Sequence, residues 1–182
     1  MSEAIGDKVK LRVYPNTHWS VSDSKKAGKY LSQLNFDYLE QPIPEWNIDG
    51  MAEIRSATGI NLEADEGAWT IYDVVEHGKR KAADVINLKI PKVGGLLKAK
   101  KMAAVAEAFG MAGAEGEIAA GLAAKAHLAV STRNALNASD FTEISKMEGW
   151  ILDEPIVMDS SGPGGPGLGV NIDEDALRKY TI

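Results

Sequence analysis

Apolar positions along this chain switch repeatedly between two periods, short runs that alternate or fill completely and longer stretches that recur every three or four residues. Residues 10–14 (KLRVY) predict a strand, and Ser20 with Asp23 three positions on resembles a capping box that opens a helix bearing Ala27, Tyr30, Leu31 and Leu34 on one face. A short strand follows at 38–40 (YLE), then a helix over 49–57 and a strand over 60–64. Thr70 is placed to cap a helix through Val75 and His77, and 84–89 (DVINLK) reads as a strand. Ala99, Met102, Ala103 and Ala106 then line a helix closed by Gly110. A weak strand near 112–114 and an Ala-rich helix over 118–130 continue the alternation.

Strand ends that return about every two dozen residues leave room for little more than strand, turn, helix and turn, which predicts βαβ units and a parallel sheet. A doubly wound sheet and a (β/α) barrel both produce that spacing, so periodicity leaves the two open. Residues 161–169 (SGPGGPGLG) are too rich in Gly and Pro for a regular element. The segment 159–182 is therefore expected to cross the surface before a short helix starting near Asp173, and the whole chain, 1–182, reads as one domain.

Polar groups stand where the apolar runs stop: Tyr14 and Asn16, then Glu40, then Asp65 and Glu66, then Lys89, then Glu117. In a parallel barrel the C-terminal strand ends converge on one mouth, so these residues would form a ring of carboxylates with a lysine among them. Carboxylates sharing a site repel unless a hard cation lies between them, and Mg²⁺ suits an all-oxygen set. A solvated loop acid or a helix cap explains any single member equally well. The set is harder to dismiss, and Lys89 hardest, because it lies within INLKI, where a buried strand has little use for a charge. Glu143, in FTEI, marks a further strand candidate whose role is open.

Composition narrows the partners. With 20 Lys and Arg against 26 Asp and Glu, the net charge of −6 opposes nucleic acid and anionic membrane surfaces, and the basic residues are scattered. The absence of Cys removes disulfides and thiolate metal sites, which fits a cytoplasmic protein. The opening MSEAIGDKVK has no apolar core of a signal peptide, and Glu107, Glu115, Glu117 and Lys125 interrupt the most apolar stretch, 103–130, so no membrane span is expected. Gly94 and Gly95 lack a phosphate-loop context and read as a βα turn. Trp19, Trp46, Trp69 and Trp150 have no regular spacing and read as packing residues, as does His127 on its apolar helix face.

Four local motifs, in order and at matching separations, resemble the mandelate-racemase and muconate-lactonizing branch of the enolase superfamily. They are YLEQP at 38–42, ADE at 64–66, NLKIPKVGG at 87–95 and PGLGV at 166–170, and the likeness runs from about Lys8 to Tyr180. The resemblance implies an α/β fold, a parallel (β/α) barrel of TIM type, here incomplete from about the third to the eighth strand and without the family's N-terminal capping domain. It implies Mg²⁺ held by Glu40 and Asp65, Lys89 as general acid/base, Glu66 as the residue that orients Lys89, and Glu117 as a substrate or enolate contact. Asn16, Lys92 and Glu117 become candidate substrate contacts. The implied reaction removes a proton α to a carboxylate through a metal-stabilised enediolate, giving racemisation, dehydration or cycloisomerisation of a carboxylic or sugar acid.

Two departures qualify this. The family's first metal ligand is an Asp in a motif resembling VDxNxxW, and the matching stretch here is VYPNTHW, with Tyr14 at the Asp position. A neutral phenol is a poor substitute for a carboxylate at a hard cation, so a weakened or absent metal is expected, and His18 is placed as a loop or mouth residue rather than a replacement ligand. A barrel short of two strands would also expose two edges, so the expected partner is a second copy of the chain or a missing N-terminal half. The competing reading is a catalytically inactive barrel scaffold with a structural or interaction role.

Overall fold

The structure is a computed structural model that describes residues 6–114, 121–135, 151–156, 158–159 and 162–179. After a single 3₁₀ turn at Gly6–Lys8 the chain alternates strand and helix: β1 (Leu11–Val13), α1 (Val21–Leu31), β2 (Phe36–Glu40), α2 (Ile48–Thr58), β3 (Leu62–Ala64), α3 (Ile71–Arg80) and β4 (Val85–Asn87). A one-turn helix α4 (Ile90–Val93), then α5 (Leu96–Ala108), β5 (Ala112–Ala114) and α6 (Gly121–Ser131) complete the repeat. A small antiparallel pair, β6 (Met158–Asp159) with β7 (Gly162–Pro163), and α7 (Glu174–Lys179) close the chain.

Strands β1 to β5 form one sheet in the order of the sequence, every neighbouring pair parallel. That order decides the question periodicity left open. A doubly wound sheet reverses its strand order at a switch point, whereas a barrel adds each strand beside the last.

Local chemistry accounts for the helix boundaries. Ser20 Oγ accepts from the Asp23 N–H at 3.0 Å, and Thr70 with Asp73 makes a reciprocal capping box. Asn47 supplies a third cap, accepting from Gly50 N at 2.9 Å. Gly59 ends α2 at φ +69, a conformation that favours glycine. The α3–α5 contact needs Gly78, because a methyl built there would stand 2.4 Å from Phe109 Cγ. Arg55 on α2 donates to both oxygens of Asp84, and Asp84 Oδ2 also accepts from Leu62 N at 3.0 Å, tying α2 to the starts of β3 and β4.

The two faces of the sheet differ. Leu39 and Leu62 face the helices and pack with Met51, Ile54 and Ile60. Ala64, Ile86 and Leu88 do the same with Val74, Ala99 and Met102. The alternate residues point the other way, where Tyr38, Val85 and Ala112 form only a small apolar floor. No helix among the described residues is long and apolar enough to cross a membrane.

Two expectations shift. The strand expected over 84–89 stops at Asn87, and Lys89 occupies the N-cap position of α4, because Pro91 in the next turn has no N–H for a ladder and is accommodated at a helix start. The Gly/Pro-rich run, expected to hold no regular element, contributes β7, which pairs with β6 just ahead of it. The terminal helix does begin where Asp173 Oδ1 accepts from Ala176 N at 2.9 Å. Glu117, Glu143 and Trp150 lie outside the described residues.

Candidate active site at the strand ends

Asp65 is the hub. It follows β3 directly, is 3% exposed, and carries a lysine on each carboxylate oxygen. Lys92 Nζ donates to Oδ1 at 2.6 Å, to the Asp65 carbonyl at 2.7 Å and to the Asn87 carbonyl at 3.1 Å. Lys89 Nζ donates to Oδ2. Burial alone would raise the Asp65 carboxyl, but the two ammonium groups outweigh it and hold the group below its ordinary range. The lysines respond differently. Burial dominates at Lys92 and lowers its pKa, whereas at Lys89 the Asp65 pair, with Glu40 and Glu66 beyond it, overcomes burial and raises it. Their exposure differs in the same sense: the Lys92 side chain is 8% exposed and that of Lys89 38%.

The loop that presents Asp65 is held by Gln41, the residue after β2. Its Oε1 accepts from Asp65 N at 3.1 Å and Gly67 N at 3.0 Å, while its Nε2 donates to the Ile43 carbonyl at 3.0 Å. His77 reaches the Gly67 carbonyl from the helix side at 3.2 Å, and burial lowers its pKa, which favours the neutral ring. A Cβ at Gly67 would meet Gln41 Oε1 and His77 Nε2 at 3.1 Å each, so the clamp closes on bare backbone.

Beside this sits an acidic pair. Glu40 ends β2 and is register partner to Glu63 on β3, so the two side chains share the inner face. Burial first, then the charges of Glu63 and Asp65, push the Glu40 carboxyl up to about 9. Burial likewise raises Glu63 to about 7, with Glu40, Tyr38 and Arg12 opposing and Asp65 adding to it. Glu63 is fully buried, and neither of its carboxylate oxygens has a hydrogen-bond partner. Asn87 Nδ2 stands 3.4 Å from Glu40 Oε1, and Asn87 Oδ1 is also without a partner. Below them Arg12 lies 4.5 Å over the Tyr38 ring and donates to Asp37 at 2.9 Å.

Of the residues the sequence singled out, Glu40, Asp65, Lys89 and Lys92 are brought together. Tyr14 follows β1, is 44% exposed, and interacts with Tyr38 and Arg12. Asn16 is exposed at φ +49, with its carbonyl engaged by His18 Nδ1. Lys89 bonds Asp65, Glu66 acts on Lys89 through its charge, and Glu66 Oε2 is left without a hydrogen-bond partner. Lys92, expected to meet substrate, is pinned beneath Asp65. His127 bonds the Leu168 carbonyl at 3.2 Å, a packing role that ties the Gly/Pro-rich segment to α6. Gln41 and Glu63 were not assigned roles from sequence. Glu63 was signalled only by its place two residues before Asp65, which puts both on one strand face.

Glu40 and Asp65 are suited to a hard cation, but the third position holds the Tyr14 phenol. Among the described residues no three His, Asp or Glu side chains are arranged to hold a metal. Glu40 and Asp65, expected to hold Mg²⁺ with Tyr14 at the third position, do not complete a hard-cation set among the described residues, and no chemical step is assigned to the metal.

A family model described as enolase C-terminal domain-like matches residues 1–176. A chloromuconate cycloisomerase of Cupriavidus pinatubonensis is 33% identical over 99% of this chain and 50% of its own length. An N-succinyl-L-Arg/Lys racemase of Bacillus cereus is also 33% identical, over 99% of this chain and 50% of that protein. The crystal structure of 2-chloromuconate cycloisomerase from Rhodococcus opacus 1CP superposes with a TM-score of 0.89 at 32% identity, covering 100% of this chain and 52% of that one. The chain thus spans about half the length of the curated relatives it matches.

Proposed function

Because this chain belongs to the enolase C-terminal domain-like family, we propose that it moves a proton at the carbon α to a carboxylate, with Lys89 as the proton carrier. The products would be those of racemisation, dehydration or cycloisomerisation of a carboxylic or sugar acid. The relatives support this reaction kind, since they include cycloisomerases, a racemase and an L-Ala-D/L-Glu epimerase of Bacillus subtilis. The observation that carries the reading is the unequal lysine pair on Asp65. Lys92 is enclosed and serves to fix the carboxylate, while Lys89 is at the mouth, where a substrate can reach it.

In the resting state Lys89 is a protonated acid, held so by Asp65. It can deliver a proton at once, whereas accepting one requires that substrate binding first draw the ammonium away from Asp65 and into a drier setting. Glu40, raised by burial and by its acidic neighbours, is neutral near pH 7 and can donate a hydrogen bond to charge developing on a carboxylate oxygen. Among the described residues β1 is paired only with β2, so we further propose that its open edge is covered by a second copy of the chain or by a separate N-terminal half. A strictly monomeric species that unfolds in one cooperative step would count against that assembly.

The test is solvent-deuterium incorporation at the α-carbon of a panel of carboxylic, sugar and N-acylamino acids, read by mass spectrometry. Lys89→Ala is expected to lower exchange by roughly 10²–10⁴-fold with the fold intact by circular dichroism. Exchange retained in that variant would remove Lys89 from the mechanism. Tyr14 favours a second reading, a non-catalytic barrel scaffold, and that is the reading left if the unaltered chain exchanges none of the panel.

A further inference from the structure

A second concavity lies on the helix side of the Asp65 turn. It is a groove of about 490 Å³ between the start of α3 and the first turns of α5, and its lining includes Val93 and Met102, both buried in the helix-side core. That volume falls in the range of small-molecule sites. Lys89, the proton carrier of the proposed reaction, is not among its walls.

One wall is fixed by the fold. Trp69 is 55% exposed, yet its indole N–H donates to the Glu66 carbonyl at 2.8 Å and its backbone N–H to Asp73 Oδ2 at 3.0 Å. The polar edge of the ring is thereby used, and the rest remains as a held apolar surface with little rotamer freedom left to lose on binding.

Charge in the groove has one sign. Lys92, Lys98 and Lys101 line it and no acid does, in a chain whose net charge is −6. Lys92 is committed to Asp65. Exposed lysines elsewhere, such as Lys25, Lys26 and Lys79, each reach an acid, whereas Lys98 and Lys101 have no ion pair or hydrogen bond among the described residues. A Cβ at Gly94 would meet Lys98 Nζ at 3.1 Å, so this ammonium is folded back onto the Gly94 backbone, itself part of the lining.

We propose that this groove binds a small aromatic carboxylate, with its ring against Trp69 and Met102 and its anion between Lys98 and Lys101. The apolar walls call for an apolar body, and two cations without an acid call for a negative group to complement them. The site is separate from the proton-transfer reading, and its test does not depend on activity.

The probe is 2-naphthoate, titrated into the full chain by calorimetry and followed at the Trp69 indole N–H by NMR, the resonance being assigned by its loss in Trp69→Phe. Saturable binding of one naphthoate per chain that moves this resonance and weakens with added salt is expected. The uncharged 2-naphthamide should bind about tenfold more weakly, as should naphthoate to the double variant Lys98→Glu, Lys101→Glu. Trp69→Ala should lose most of the affinity and Trp69→Phe keep most of it, while Lys89→Ala, which removes the cation at the mouth, should leave it unchanged. Circular dichroism checks that each variant is folded. A loss confined to Lys89→Ala would place the naphthoate at the mouth and overturn the proposal. Equal affinity for the amide, or no saturable binding by the unaltered chain, would do the same. So would a double variant that alters the oligomeric state in sedimentation but not naphthoate affinity, since the groove would then be an interface between copies of the chain.

Discussion

Leu39 and Glu40, Leu62 and Glu63, Ile86 and Asn87 are sequence neighbours that face opposite sides of the same strands. On the helix side the members of each pair pack at 0% exposure among aliphatic residues. On the inner side their neighbours are as well buried, yet three of their oxygens have no hydrogen-bond partner. Both faces are thus buried while the energetic sign of burial differs. On the outer face it removes apolar surface from water and holds the fold together, and on the inner face it concentrates charge that the outer face must support. Chemistry at the strand ends depends on that imbalance, because the large upward shifts of Glu40 and Glu63 arise first from charge being denied water.

The sharpest test of this division is truncation on the outer face. Leu39→Ala should cost about 2–5 kcal/mol of unfolding free energy, seen as a lower midpoint in urea. Glu63→Gln, the next strand's inner-face residue, should cost nothing or stabilise in metal-free buffer. A Leu39→Ala loss smaller than the effect of Glu63→Gln would show that the outer face does not dominate.

The second test is pH. In the fold Glu63 titrates at about 7 and Glu40 at about 9, both above the 4.5 of an ordinary glutamate. Between pH 4.5 and those values the folded chain keeps protons that the unfolded chain has released, so stability falls as pH rises through that window. Asp65 has the opposite sign: its lowered pKa contributes stability that is lost as pH drops through its folded value. The melting temperature should therefore decline from about pH 5 to pH 9, and Glu63→Gln should flatten the decline. Equal slopes in the two proteins would mean that Glu63 is not held above its ordinary value.

What was legible in the sequence follows the range of the interactions involved. The caps at Ser20 and Thr70 act over three residues and were visible, as was the recurrence of polar groups after strands that brings Glu40, Asp65 and Lys89 together. The end of β4 is not legible, because INLKI is apolar enough to extend a strand, while Pro91 two residues past Lys89 turns the chain into α4. The pairing of Lys89 with Asp65 instead of Glu66 depends on side-chain directions set by three separate loops. Glu63 was hidden for a different reason. Its neighbours Leu62 and Ala64 are apolar, and only the register with Glu40 shows that it faces another acid.

Gln41 was hidden by range as well, since its side chain acts on residues 24 and 26 positions away. It stands at the boundary between the faces, and it gives the smallest and most discriminating test. Gln41→Ala would strand the N–H groups of Asp65 and Gly67 without an acceptor inside the protein, at a cost of about 1–3 kcal/mol. The larger consequence should be positional. With the 65–67 turn released, Asp65 no longer presents its two oxygens to separate lysines, and the raised pKa of Lys89, measured by NMR of its ammonium carbon, should fall toward its ordinary value. Gln41→Glu keeps an acceptor for both N–H groups but loses the donor to Ile43, so it should recover the Lys89 titration while leaving part of the stability loss. If Gln41→Ala lowers stability but leaves the Lys89 titration unmoved, the glutamine belongs with the outer face as a packing residue, and the lysine pair alone positions Asp65.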